Sequence, residues 1–206
     1  MSQTLEMARE SAGVRDAEQR MRIVETAEKL FRDFGLHKTT VADIARTLRM
    51  SPANVYRFFA SKAEIQEAVA AHVLGELESA ARTLAAGTDS AESRLRALVK
   101  GAQAMHADRL TRDSKLHEMV EVALSDRWPI IREHLGRMRA IYAQVIADGV
   151  ARGEFAPVDA HLAAGLAQAA VVSFIHPRLM VECADLPMPS VDEMLDFVVK
   201  ALKADA

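Results

Sequence analysis

The sequence has few of the residues that disulfides, metal sites and β-sheets require. Its 206 residues include one cysteine, Cys183, so no disulfide can form within one chain and a cluster of cysteine ligands is excluded. Aromatic residues make up only 5%, and no alternation of apolar and polar residues between turn signals indicates a strand. Half of the residues are hydrophobic, and Ala, Leu, Val and Met dominate them, which favours packed helices. The lone thiol also favours a cytoplasmic location.

Motifs for catalysis are also missing. The seven histidines show no HExxH or other tight ligand spacing, and GxSxG, P-loop and dinucleotide-binding patterns are absent. We therefore expect no enzyme activity, no metal and no cofactor, although an enzyme whose residues meet only in space stays open. Residues 1–17 contain no continuous apolar stretch, so we expect a mobile tail and not a secretion signal.

Residues 40–59 carry the most specific pattern, two short helices joined by a tight turn. In the first helix four apolar residues follow the spacing i, i+3, i+4 and i+7: Val41, Ile44, Ala45 and Leu48. Ser51 is placed to cap a second helix with Pro52 at its first position. The apolar side of that helix contains Val55, Phe58 and Phe59. This arrangement predicts a helix-turn-helix motif.

The flanking residues support the motif. An apolar stripe from Ile23 to Phe34 predicts a helix that begins at about Glu18. Gly35 ends this helix, and we expect this one residue to adopt the left-handed conformation. Downstream, Ser61 and Glu64 have the spacing of a capping box that opens a long helix.

From about Arg20 to Ala80 these residues resemble the TetR/AcrR-type transcriptional regulators. The resemblance rests on four segments: 30–35 (LFRDFG), 39–45 (TTVADIA), 51–59 (SPANVYRFF) and 61–65 (SKAEI). It implies a DNA-binding domain at residues 18–80. Two positions depart from the family pattern, which often has glycine where this chain has Arg49 and Ala53. We expect Arg49 to cost about 1 kcal/mol in a strained turn, and the Ala53 methyl group could contact a thymine.

Charge is distributed unevenly along the chain. Residues 1–62 contain eleven basic and eight acidic residues, whereas residues 63–206 contain fifteen and twenty-one. Between Leu36 and Lys62 five basic residues face the single acid Asp43. A solvated charged face is the alternative, but the coincidence with the helix-turn-helix indicates a surface that binds phosphates.

The predicted DNA contacts fall into two groups. The helix starts at Thr40 and Ser51 would bind phosphates together with Lys62 and Tyr56, and Ala53, Asn54 and Arg57 would face base edges. For Tyr56, packing of the ring against the first helix is a compatible alternative. The full set of candidates is Thr40, Arg49, Ser51, Pro52, Ala53, Asn54, Tyr56, Arg57 and Lys62.

Residues 81–206 predict further amphipathic helices, which brings the total to about nine and the fold class to all-α. The family resemblance implies that this part binds a small molecule and forms a homodimer. Adaptable or aromatic residues are the candidates for the pocket, with ordinary core packing as the alternative for each of them: Met105, Met119, Trp128, His134, Met138, Tyr142 and Phe174.

A helix from about Asp159 to His176 is apolar on nearly all sides between Leu162 and Ile175. This stretch is too short to cross a bilayer. Cover by a second copy is our interpretation, and burial within one subunit is the alternative. Small residues four apart on this helix and apolar residues on the last helix are the interface candidates: Gly165, Ala169, Ser173, Met194, Leu195, Val198 and Leu202.

Two function classes follow. The first is a dimeric repressor that a small molecule releases from a palindromic operator on double-stranded DNA, with recognition helices about 34 Å apart. The alternative is a helical small-molecule sensor or interaction protein in which the DNA module is vestigial.

Overall fold

The computed structural model describes residues 2–112, 122 and 129–203. In these ranges all regular secondary structure is helical, so the fold is all-α. Nine helices follow one another in the described chain, which matches the predicted number: α1 (Ser2–Phe34), α2 (Val41–Thr47), α3 (Pro52–Tyr56), α4 (Lys62–Ala85), α5 (Ala91–Arg112), α6 (Pro129–Ala151), α7 (Ala160–Ile175), α8 (Pro177–Glu182) and α9 (Val191–Leu202). The short helix predicted between Leu116 and Ala123 lies outside the described residues, except for Val122. The count of nine described helices instead includes α8, which the sequence did not predict.

Capping residues fix most helix starts where the sequence predicts them. Thr40 and Ser190 form complete capping boxes at α2 and α9, and Asp159 accepts two backbone N–H groups at α7. Gly35 ends α1 with a φ of 93°, the left-handed conformation expected there. These local hydrogen bonds satisfy N–H groups that the first turn of a helix cannot pair internally.

Two predictions need correction, the start of α1 and the capping box of α4. Helix α1 begins at Ser2 and not at about Glu18, and the mobility of residues 1–17 stays a prediction. The capping box at α4 is incomplete. The Ser61 hydroxyl accepts the N–H of Glu64, but the Glu64 carboxylate accepts the N–H of Ala60, 2.6 Å away, one residue before the cap. That bond lowers the pKa of Glu64, because it stabilises the charged form.

The described helices enclose two hydrophobic cores. The first core lies between α1, α2, α3 and the first half of α4, and the second lies between the end of α4 and helices α5, α6, α7 and α9. Helix α4 contributes Val69 and Val73 to the first core and Ala81 to the second. Ile130 and Ile131 at the start of α6 also pack against the first core. Two helices therefore connect the cores. The predicted domain limits, 18–80 and 81–206, remain a prediction.

A buried arginine fixes the end of α4. Arg94 on α5 donates to the carbonyl of Ala85 at 3.0 Å and forms an ion pair with Asp148 on α6. The guanidinium thus binds an unpaired carbonyl at the end of α4 and holds α5 and α6 to it. No helix in the described ranges has the length and apolar character needed to cross a membrane.

Substitution by alanine at two glycines of α6 should have opposite effects on the free energy of unfolding. A Cβ atom at Gly149 would lie 2.3 Å from the Phe155 ring, whereas one at Gly136 would meet nothing within 4 Å. We expect Gly149→Ala to lower the free energy of unfolding by about 1–3 kcal/mol through overpacking. Gly136→Ala should raise it by about 0.5–1 kcal/mol, because alanine favours the helix. Urea unfolding of both variants checks this, and a destabilised Gly136→Ala would contradict it.

Candidate nucleic-acid interface and regulatory cavity

The turn between α2 and α3 depends on one residue in a strained conformation. Arg49 has a φ of 56°, so it adopts the left-handed conformation that glycine tolerates better, as the sequence predicts. The N–H of the next residue, Met50, bonds to the Ala45 carbonyl at 2.8 Å. The chain thereby reverses at the end of α2 and places Ser51 at the start of α3.

Helix α3 is anchored by its inner face and exposed on its outer face. Val55 and Phe59 are completely buried in the first core, and Phe58 packs against it. Pro52, Ala53 and Arg57 are exposed, as the sequence predicts. Half of the surface of Tyr56 (51%) is exposed, so its ring is not enclosed by the core. The outer face of α3 is therefore free to meet another molecule.

The two residues predicted to contact bases are bonded to each other. The Arg57 guanidinium donates to the Asn54 side-chain oxygen at 3.2 Å, and it also lies 5.6 Å from the centre of the Phe58 ring. This arrangement holds both polar side chains on the same side of α3. Each retains N–H groups that can donate to bases or phosphates.

Lys62 occupies a different position from the one expected for a simple phosphate contact. Its ammonium group donates to the Leu36 carbonyl at 2.7 Å, and partial burial lowers the pKa of the lysine. This bond ties the start of α4 to the loop after α1. Its predicted contact with DNA stays a prediction that requires a further N–H group of the ammonium.

Arg20 is a residue of this region that the sequence reasoning missed. From α1 it stacks over the Phe59 ring at 4.0 Å, pairs with Glu64 at 3.3 Å and donates to the Phe58 carbonyl. It thereby joins α1 to the segment that leaves the recognition helix. Sequence spacing gives no signal for this contact, because the partners lie far apart along the chain.

The start of α2 combines a cap with a local ion pair. The Asp43 carboxylate accepts from the Thr40 hydroxyl at 2.6 Å and from its N–H at 2.9 Å, and Arg46 pairs with it at 3.0 Å. The bonds from Thr40, followed by the charge of Arg46, lower the pKa of Asp43. The Thr40 side chain is therefore already engaged in capping, and its predicted phosphate contact stays a prediction.

Four of the predicted pocket residues meet at one cavity in the second core. Met105, His134, Met138 and Tyr142 line a space of about 80 Å³ between α4, α5, α6 and α7. Phe174 is not part of the described lining and lies at a separate surface pocket with Leu179 and Met180. Phe174 also packs against the second core, and its assignment to a ligand pocket stays a prediction. Met119 and Trp128 lie outside the described residues.

A buried carboxylate lies behind this cavity. Glu78 on α4 is bonded by His134 through Nδ1 and by Arg137 through Nε, each at 2.9 Å, and both partners lie on α6. Burial alone would raise the pKa of Glu78, but the bonds from His134 and Arg137 lower it overall. The result is a charged side chain that joins α4 to α6 inside the protein. At position 78 the helical periodicity predicts an apolar core residue, so the sequence does not predict a buried carboxylate there.

The predicted interface residues fall into different environments. Leu195 has no exposed surface, so it is a core residue and its assignment to an interface needs correction. Gly165 faces Arg139 on α6, 3.6 Å from where a Cβ atom would lie. Met194 also packs against the second core, and Val198 and Leu202 are almost completely buried there. Ala169 is exposed and Ser173 is half-buried.

The exposed apolar surface of α7 and α9 consists of residues that the sequence reasoning did not select. Leu162, Leu166 and Phe197 are 63%, 64% and 69% exposed, and they border a groove with Val198 and Leu202 at its base. The spacing of Leu162, Leu166, Ala169 and Ser173 along α7 could have indicated this face. Gly165, an interface candidate because of its small size, is half-buried and lies next to the exposed Arg139 side chain.

Among the described residues, no three potential metal ligands lie close enough to share an ion. The exposed helix-turn-helix, followed by a helical C-terminal part, defines the class of DNA-binding transcriptional regulators. Two family models match the sequence and support this conclusion. Residues 23–69 match the model described as "Bacterial regulatory proteins, tetR family", and residues 91–199 match "Tetracyclin repressor-like, C-terminal domain". The chain belongs to the TetR family.

Solved structures share the fold. A transcriptional regulator from Cytophaga hutchinsonii is 18% identical with a TM-score of 0.65, covering 88% of this chain and 97% of the other. The fatty acid degradation regulator FadR from Bacillus halodurans is 19% identical with a TM-score of 0.61, covering 88% and 93%. FadR from Bacillus subtilis in complex with stearoyl-CoA is 17% identical with a TM-score of 0.60, covering 89% and 97%. No curated protein matches.

Replacing two arginines by glycine tests the strained turn. Arg49→Gly should raise the free energy of unfolding by about 1 kcal/mol, because glycine adopts the left-handed conformation without strain. Arg46→Gly should lower it by about 1 kcal/mol, because Arg46 lies inside α2. Urea unfolding measures both. A destabilised Arg49→Gly would show that the arginine side chain contributes more than its backbone costs.

Proposed function

We propose that this protein is a dimeric transcriptional repressor that binds a palindromic operator and is released when a small molecule occupies the second core. The observation that carries the proposal is the exposed outer face of α3, with Ala53, Asn54 and Arg57 on a helix whose inner face is buried. A helix held in this way can enter a major groove without unfolding.

Local charge supports binding to DNA. Arg46, Arg49 and Arg57 are exposed on and around the helix-turn-helix, together with Lys38 before α2. The chain as a whole has a net charge of −3, so a concentration of positive charge at this end orients the protein toward phosphates. Contacts to phosphates position the protein, and the outer face of α3 reads the bases.

The exposed groove of α7 and α9 supports dimerisation. Leu162, Leu166 and Phe197 present large apolar side chains next to one another, which is costly in water unless a partner covers them. A second copy is the partner we propose, because two copies related by a twofold axis would place two recognition helices on successive turns of DNA. The groove lies on the helices expected to form the interface, although its residues differ from most of those predicted.

Two connections between the cores support regulation by a ligand. Glu78 joins α4 to His134, which lines the cavity, and Ile130 and Ile131 carry the start of α6 into the first core. A ligand that shifts α6 would therefore change contacts in both cores. A shift in DNA occupancy from 1:99 to 99:1 requires about 5.5 kcal/mol of differential affinity between the two states.

Substitutions on α3 test the reading of DNA. A binding site is first selected from a pool of random duplexes, and affinities are then measured by mobility shift. Arg57→Ala and Asn54→Ala should each weaken binding to this site by about 1–3 kcal/mol and reduce the preference over unrelated duplexes. Affinity should also fall steeply between low and moderate salt.

The matched control for this test is Arg178→Ala, which removes an exposed arginine on α8, remote in sequence from the motif. It should bind the selected site like the wild type. If the pool yields no preferred duplex, the DNA module is vestigial. If the α3 variants keep the wild-type preference, the assignment of base contacts is wrong.

Charge placed in the groove tests the dimer. Phe197→Asp should shift the protein from dimer to monomer in sedimentation velocity, because it places a carboxylate in an apolar interface. Phe34→Asp is the control, since Phe34 is also largely exposed but lies at the end of α1. A wild-type monomer, or a Phe197→Asp variant that remains dimeric, would contradict this interface.

A further inference from the structure

The cavity of the second core has a mainly apolar lining. Among its described residues are leucines, alanines, two methionines and an isoleucine, two histidines (His106 and His134), and no Lys, Arg, Asp or Glu. A charged group inside it would meet no permanently charged side chain at the described lining, which makes its burial costly. The lining therefore favours a neutral ligand with a large apolar surface.

One residue of the cavity wall has a polar atom without a partner among the described residues. The hydroxyl of Tyr142 is buried, with 1% of the residue exposed, and it makes no hydrogen bond there. Burial raises the pKa of Tyr142, so the hydroxyl keeps its proton and can donate. Because buried polar groups are nearly always paired, an unpaired hydroxyl at a cavity indicates a missing acceptor.

Three other polar side chains line the described wall, those of His106, His134 and Gln168. His134 uses Nδ1 to bond Glu78, and since a carboxylate only accepts, Nδ1 is the donor of that bond. Burial lowers the pKa of His134, which favours the neutral ring and leaves Nε2 as an acceptor. The Gln168 side-chain oxygen accepts from Arg139 at 3.4 Å, and its NH₂ group is a second possible donor to a ligand.

We propose that the cavity binds a compact, neutral, mainly apolar molecule with one hydrogen-bond-accepting oxygen, such as a cyclic ketone, and that the Tyr142 hydroxyl donates to that oxygen. This inference rests on the proposed function, because it names the class of effector for the same site. A volume of about 80 Å³ is well below the roughly 300–1,000 Å³ of a drug-sized pocket, so the ligand has few non-hydrogen atoms.

Two probes of equal shape test the hydrogen bond. Cyclopentanone and methylenecyclopentane differ only in a carbonyl oxygen against a CH₂ group. Each is titrated at millimolar concentration into the DNA-free full chain labelled with ¹³C in the methionine methyl groups. Resonances of Met105 and Met138 should shift, because both residues line the cavity. The resonance of Met188, an exposed residue that is not among the described lining, should stay in place.

The ratio of the affinity for cyclopentanone to the affinity for methylenecyclopentane should fall about two- to tenfold from the wild type to Tyr142→Phe, the range expected for one hydrogen bond. The comparison between the two proteins cancels the difference in hydration between the probes. Tyr56→Phe is the control, because Tyr56 is the other tyrosine of the chain and lies on α3. It should keep the wild-type ratio.

Two results would overturn the proposal: no shift of Met105 and Met138 with either probe, or a ratio in Tyr142→Phe that equals the wild-type ratio. If Tyr142→Phe does not fold, the ¹³Cζ resonance of Tyr142 in the wild type decides, because it should shift more with cyclopentanone than with methylenecyclopentane, and equal shifts would contradict the hydrogen bond. Failure here would leave the selection of a DNA site unaffected, since that assay uses no probe. Conversely, a protein that selects no DNA site could still show the predicted ratio, so the two proposals fail separately.

Discussion

Burial of Val55 and Phe59 in the first core is the interaction on which the DNA-facing surface depends. Helix α3 has five residues, far fewer than a helix needs to be stable by itself. Its geometry therefore comes from packing on α1, α2 and α4, supported by the Ser51 cap and by Arg20 stacked over Phe59. Because the inner face is fixed, the polar residues of the outer face have a defined position.

The second constraint is that both cores share helices. Helix α4 contributes to each of them, and α6 begins against the first and continues into the second. At their crossing lies Glu78, a buried charge bonded to His134 and Arg137. Replacing this charge by a well-packed apolar group would often be neutral or stabilising in other proteins. A bonded carboxylate instead links the wall of the cavity to the helix that reaches the DNA-binding part.

Much of this architecture could be predicted from the sequence because its signals are local. Caps such as Ser51 and Ser61, the left-handed Gly35 and the strained Arg49 each follow from a few neighbouring residues. Four members of the cavity, including Tyr142 and His134, could be named from residue type, because large adaptable and aromatic side chains on amphipathic helices converge on cores.

The wrong or missing predictions concern long-range geometry. The apolar spacing that includes Leu195 is the same for a surface that faces its own chain and one that faces a partner, so the sequence does not separate the two. The small size of Gly165 says nothing about the direction in which it faces. The bond between Lys62 and the Leu36 carbonyl, and the contacts of Arg20, join residues that only the fold brings together. The incomplete box at Glu64 shows that even a local motif depends on the path of the preceding residues.

The bond between Asn54 and Arg57 has a consequence for how the specificity of this protein could change. Because each side chain restricts the rotamers of the other, part of the ordering entropy of DNA binding is already lost in the free protein. The energetic effects of replacing the two residues should consequently not be additive. New base preferences would arise by exchanging the pair as a unit, so related proteins should vary at these two positions together.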